Sequence, residues 1–123
     1  MEKLKFINEQ MTKIGIPYEF GEWSSAVKYP YYVGEITEDP ITTEDGLEES
    51  TLMVTGFHRG KRIELEKDKQ KIKEHFDPIC GLMGETKKGA IIVFYEGAFY
   101  IPSGEADLLK MQINLKIKEW KGA

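Results

Sequence analysis

The chain has 123 residues, 41% of them hydrophobic and 31% charged, and a formal net charge of −4 at pH 7. That size fits one domain spanning residues 1–123, which buries roughly 65–70% of its unfolded surface, and the composition excludes global disorder. No apolar run nears the ~20 residues of a membrane span, and the single cysteine, Cys80, excludes an intramolecular disulfide.

Taken in chain order, Leu4, Ile7, Met11 and Ile14 fall on one helical face, with Lys3, Lys5, Glu9, Gln10 and Lys13 elsewhere, so residues 2–14 predict an amphipathic helix. The opening MEKLKFINEQ lacks the apolar core of a secretion signal, and cytoplasmic synthesis is expected. Gly15 is a natural stop for the helix, and Pro17 forbids its continuation. Residues 18–23 alternate like a strand weakened by Gly21, and Pro30 introduces a second strand over Tyr31–Thr37. The acidic stretch 38–49 carries turn signals at Asp39-Pro40 and Asp45-Gly46, and joins that strand to the next, 50–58, as a hairpin with a long projecting connection. Apolar side chains on both faces of 50–58 suggest a central strand.

After Gly60 the texture becomes RIELEKDKQKIKEHF. Leu65, Ile72 and Phe76 form a sparse stripe, and Glu64/Lys67, Glu66/Lys69 and Asp68/Lys71 are pairs worth ~0.2–0.5 kcal/mol each, so the reading is an exposed helix packed by one narrow edge. Asp77-Pro78 ends it, and the glycines of Cys80–Gly89 read as a loop. Ala90–Tyr95 and Ala98–Ile101 flank Glu96-Gly97 as two strands of a hairpin. In Lys110–Trp120, Met111, Ile113, Leu115 and Ile117 alternate with polar residues, the signature of a strand with one buried face. Its three wet-face lysines would discourage aggregation if that strand lay outermost. The fold class expected is α+β, an antiparallel or mixed sheet of five to six strands with two helices packed on one face.

Charge is unevenly distributed. Residues 29–58 contain no Lys or Arg and seven acids, Glu35, Glu38, Asp39, Glu44, Asp45, Glu48 and Glu49, followed by a basic cluster at Arg59, Lys61 and Arg62. A block of like charge is either a solvated loop or a contact surface. It disfavours nucleic-acid binding, and its spacing does not match a calcium loop. His58 and His75 belong to no metal-binding spacing, and both read as surface histidines. Cys80, between Ile79 and Gly81, has no adjacent base and reads as a small buried or half-buried side chain. The serines lie in no nucleophile-like turn, and GLMGETKKG lacks the order of a phosphate loop. No catalytic, cofactor-binding or metal-ligating set emerges. The remaining anomaly is aromatic. Trp23, Tyr29, Tyr31 and Tyr32 cluster within ten residues and Trp120 falls out of phase on the last strand, so Trp23, Tyr31, Tyr32 and Trp120 are candidate interface aromatics as well as candidates for the core.

The order of GIPYEFGEW, YPYYVGEITE, the acidic TTEDGLEES, LMVTGFHRGKRIELEKDKQKI and the ending LLKMQINLKIKEWK resembles the tail-completion proteins of long-tailed phages and prophages of Gram-positive bacteria, also called tail-terminator or tail-to-head joining proteins. The resemblance covers nearly the whole chain. It implies a non-enzymatic virion subunit of the tail or neck, made in the host bacterial cytoplasm, that forms a ring, typically a hexamer. The implied partners are copies of itself, the tail-tube protein and the head-tail connector protein, with DNA passing through without specific binding. The resemblance carries no cofactor and no catalytic residue. Its long loop corresponds to residues 38–49, facing the tube lumen or the neighbouring ring, with Glu38, Asp39, Glu44, Asp45, Glu48 and Glu49 as its acids. A ring needs two different patches meeting at each contact, and this loop and the Arg59, Lys61, Arg62 cluster are suitably opposite in charge. Two other readings stand beside it. One is a small cytoplasmic enzyme or ligand-binding domain whose pocket lies between helix and sheet, with His58, Tyr31 and Tyr32 at its mouth. The other is a dimeric adaptor that adds a strand through the last strand.

Overall fold

The period-two alternation near the end of the chain becomes the spine of the molecule. The structure is a computed structural model describing residues 2–24, 26–38, 47–87 and 89–121. Its elements are α1 (Glu2–Lys13), β1 (Tyr18–Phe20), β2 (Tyr31–Glu38), β3 (Leu47–His58), α2 (Arg62–His75), β4 (Leu82–Thr86), β5 (Gly89–Tyr100) and β6 (Leu109–Lys121). The six strands form one sheet in the order β1-β2-β3-β6-β5-β4. The β1–β2 pair is parallel and every other pair is antiparallel, so the fold is α+β with a mixed sheet.

Because side chains alternate across a strand, the registers sort the sheet into two faces. On one, Tyr32, Leu52, Val54, Ile91, Val93, Ile113, Leu115 and Ile117 have no exposed surface and form the core with Ile7, Met11, Leu65, Ile72 and Phe76. Both helices pack here. α1 ends in a Schellman motif: Gly15, at φ +75°, donates to Thr12 O and Ile16 to Met11 O. Lys3 departs from the polar side expected of it. It is 5% exposed, with Nζ 3.0 Å from a Glu38 carboxylate oxygen and 3.4 Å from one of Glu119, so two acids from two strands offset its burial. On α2, Glu66 meets Lys69 at 2.8 Å as expected, but Asp68 turns inward to accept a hydrogen bond from the buried Tyr32 hydroxyl at 2.7 Å.

Several expectations are corrected. The 80–89 region contains strand β4 rather than only loop. Glu96-Gly97 is not a turn: β5 runs through it, with the register shifting between Tyr95 and Gly97 and Gly97 at φ +148°, a bulge that inserts one residue without reversing the chain. β6 does not lie outermost but sits between β3 and β5, so its lysines guard no edge. Cys80 is exposed, in a turn where an Asp77 carboxylate oxygen accepts from the Ile79 and Cys80 amides at 2.8 Å each. β3 begins at Leu47, which places Glu48 and Glu49 in the strand rather than in its connection; Asp39, Glu44 and Asp45 lie outside the described residues.

The link between the helices carries a pH signature. His75 Nε2 lies 2.7 Å from Gln10 Oε1, and burial, helped by Lys13, holds the imidazole pKa below its ordinary value. The unfolded chain therefore binds the proton more readily, so stability is full at neutral pH and falls as pH drops below about 6.5. Glu66 and Asp77 are held below the usual carboxylate range, Glu66 chiefly by Lys69 and Tyr100, Asp77 by the Cys80 and Ile79 amides. Their stabilisation is present above their unfolded pKa of about 4 and is lost as pH falls through the folded values. Thermal unfolding followed from pH 7.5 to 3 should show two successive declines, and His75→Gln should flatten only the first.

Candidate interaction face

The other face of the sheet is crossed by no described helix. Its residues include Tyr31, Val33 and Glu35 of β2, Met53, Thr55 and Phe57 of β3, and Lys110, Gln112, Asn114, Lys116 and Lys118 of β6. All are half-buried except the exposed Glu35, whereas their neighbours in sequence on the helix side are mostly buried. At the Tyr31 end the register sets Tyr31 opposite Phe57, and the two rings stack at 4.9 Å and 18°. Trp23, returning from β1, adds a ring at 5.0 Å from Tyr31, and Tyr29 another at 5.7 Å. Lys110, opposite Phe57 on the next strand, holds Nζ 5.6 Å from its ring centre. Burial pushes the Tyr31 hydroxyl pKa up, Tyr29 adds to the rise, and Arg59 opposes it.

Arg59 clamps the rim of this aromatic stripe. Its guanidinium donates to Glu105 at 2.5 Å, to Asp107 at 2.7 Å and to the Tyr29 hydroxyl at 3.1 Å, while lying over the Tyr29 ring. These bonds, led by Glu105, raise the Arg59 pKa, so the side chain is a fixed cation tying the turn after β5 to the aromatic loop before β2. Along the stripe lies a shallow groove of about 460 Å³, lined by Trp23, Tyr31, Val33, Phe57, Ile101 and Lys110 with Glu22 and Glu35. A second cleft, about 310 Å³, runs between α1 and β4 beside Phe6, Glu9 and Glu85.

Of the candidate interface aromatics, Trp23 and Tyr31 are brought together. Tyr32 is not with them. Consecutive strand residues face opposite ways, and its ring is fully buried under α2. Trp120 shares the open face but lies ten residues along β6 from Lys110, about 33 Å away. Sequence reasoning did not place Phe57 and Lys110 here, because their adjacency to Tyr31 exists only once the β2–β3–β6 register is known. His58 is 5% exposed rather than at the surface. Its Nε2 approaches Glu64 at 2.6 Å without hydrogen-bond alignment, so the contact is one of charge proximity when the ring is protonated. His58 and Tyr32 face the helices and Tyr31 faces away, so these three line no common pocket.

The charged patches are partly engaged within the chain. Glu38 meets Lys3, and Glu49 lies 3.6 Å from both Lys116 and Lys118. Arg59 projects to the open face, while Arg62 lies 4.3 Å over the Tyr100 ring on the helix side; Lys61, exposed, is the N-cap of α2. Among the described residues no group of three His, Cys, Asp or Glu is placed to hold a metal ion. No protein-family model and no curated protein matches this chain.

Proposed function

We propose that this chain is a structural assembly subunit, a ring-forming tail-terminator or tail-completion protein that caps a phage tail tube and joins it to the head connector. One observation carries the reading: an open sheet face with a rigid aromatic stripe pinned by Arg59, set apart from a helix-covered core. Pre-positioned Trp and Tyr rings bury area at low entropic cost, which suits contact with another protein. The resemblance of the sequence to tail-completion proteins supplies the identity of the partners. Duplex DNA would pass through the ring without specific binding, and if the acidic stretch lines the channel it repels the phosphates rather than holding them.

Light scattering and negative-stain imaging of the purified chain, alone and with tail-tube protein, test this. Rings or tubes capped at one end are expected. A chain that stays single at all concentrations and ignores the tube protein would refute the reading. Replacing Glu44 and Asp45 with Lys separates two uses of the acidic stretch. The ring is lost if these acids pair with a neighbouring subunit and persists if they line the channel.

A further inference from the structure

The two edges of the sheet are stepped, and the steps are complementary. At one edge, β1 covers β2 only at Tyr32–Gly34. At the other, β4 covers β5 only at Gly89–Val93, and among the described residues no strand lies along that side of its second half, up to Tyr100. Hydrogen-bond directions alternate along a strand, so Tyr95 N, which donates sideways to Phe76 O, and Ile101 N, which donates inward to Lys110 O, fix the directions between them. Past the bulge, the amides of Ala98 and Tyr100 point away from β6. On β1, Tyr32 N donates to Pro17 O and Gly21 N to Gly34 O, which turns Glu19 toward β2 and Tyr18 and Phe20 outward.

The same residues share rungs across the whole sheet. Tyr18, Tyr32, Gly56, Met111 and Tyr100 lie on one rung, and Phe20, Gly34, Val54, Ile113 and Ala98 on another. β4 begins at Leu82, on the rung of Val93, Ile117, Ser50 and Glu38, beyond the last rung of β1. A second copy set beside the first in the same orientation would thus place its β1 in the column that β4 leaves open, without the two strands overlapping. β1 and β5 run in opposite directions through the sheet, so the new pair would be antiparallel. Tyr18 would meet Tyr100 and Phe20 would meet Ala98, with outward amides facing each other and side chains on matching faces.

We propose that copies of this chain join edge to edge, β1 of one copy adding to the Ala98–Tyr100 segment of the next, so that the sheet continues from subunit to subunit. This rests on the self-assembly reading above and names its contact. The two surfaces differ, as a closed ring requires. The joint would also cover Phe20 and Phe99, which are 40% and 52% exposed in the single chain.

Cross-linking tests it in a Cys80→Ser background, by pairing Phe20→Cys with Ala98→Cys. Hydrogen-bonded antiparallel partners have Cα atoms about 5.5 Å apart, within disulfide reach. Inside one copy these positions are four strand spacings apart, roughly 19 Å, so every link is between copies. On tube protein or alone, mild oxidation of the double variant should give a reducible ladder of multimers at least tenfold above either single variant, and mixed single variants should stop at dimers. Ala98→Pro, which removes an outward donor without touching the β5–β6 ladder, should abolish assembly while leaving the thermal midpoint of the single chain within a few degrees. Assemblies seen by light scattering that give no ladder and tolerate Ala98→Pro would overturn this joint and leave the assembly reading standing. Absence of assembly with or without tube protein would overturn both.

Discussion

Leu115→Ala is expected to lower the unfolding free energy by about 3–4 kcal/mol, in the middle of the range for leucine truncation in a packed core. Leu115 has no exposed surface and lies on the central strand, between Leu52 of β3 and Tyr95 of β5. Strands hold it on both sides and helices cover it, so the site has little freedom to collapse onto the lost volume. For a domain of this size, ~4 °C per kcal/mol puts the fall in thermal midpoint near 12–16 °C. Urea unfolding should show the same loss with an unchanged slope. Asn114→Ala, one residue away on the open face, should cost no more than about 0.5 kcal/mol. Equal costs at the two positions would mean that the faces are wrongly assigned.

Gly56→Val is expected to be nearly as damaging, at about 3 kcal/mol. A Cβ built on Gly56 would fall 2.4 Å from Cε2 of Tyr32. That ring has no exposed surface and its hydroxyl is bonded to Asp68, so it has nowhere to swing. The glycine thus serves as a seat for an aromatic ring from the neighbouring strand, and Gly34 does the same for Tyr18. Replacing Tyr32 with Leu in the Gly56→Val background should recover part of the loss, and the coupling in a double-mutant cycle measures how much of the cost is that one clash. Additive effects would show that the valine acts elsewhere.

These two sites mark what sequence alone can reach. Leu115 is legible because alternation over Met111–Ile117 betrays a buried face without knowledge of any partner. α1 is legible for the same reason at helical period, as are the hairpin of β2 with β3 and the helix after it. Gly56 is not legible, because its role depends on which ring lies across from it. β4 was hidden by its own glycine, Gly84, whose missing side chain is made up by Phe6 of α1 packing over it. β5 was cut in two because a Glu-Gly pair reads as a turn, whereas the same flexibility here serves a bulge. His58 is buried beside Gly60, which supplies no side chain but leaves the room its ring fills. In the candidate site, Trp23 and Tyr31 could be picked out as an aromatic excess. Lys110, Phe57 and the Arg59 clamp needed strand register and a turn 46 residues further on.

The central position of β6 has a kinetic consequence. β3 and β5 do not pair with each other; β6, which follows both of them in the chain, joins them. Until it arrives, β1-β2-β3 and β4-β5 are separate ribbons, each with an unsatisfied edge. Native pairing across the middle of the sheet spans large sequence separations, which slows folding and lengthens exposure to aggregation. Consolidation of the domain therefore waits on β6, and a chain that lacks the residues from Leu109 onward is the form of this protein most exposed to aggregation.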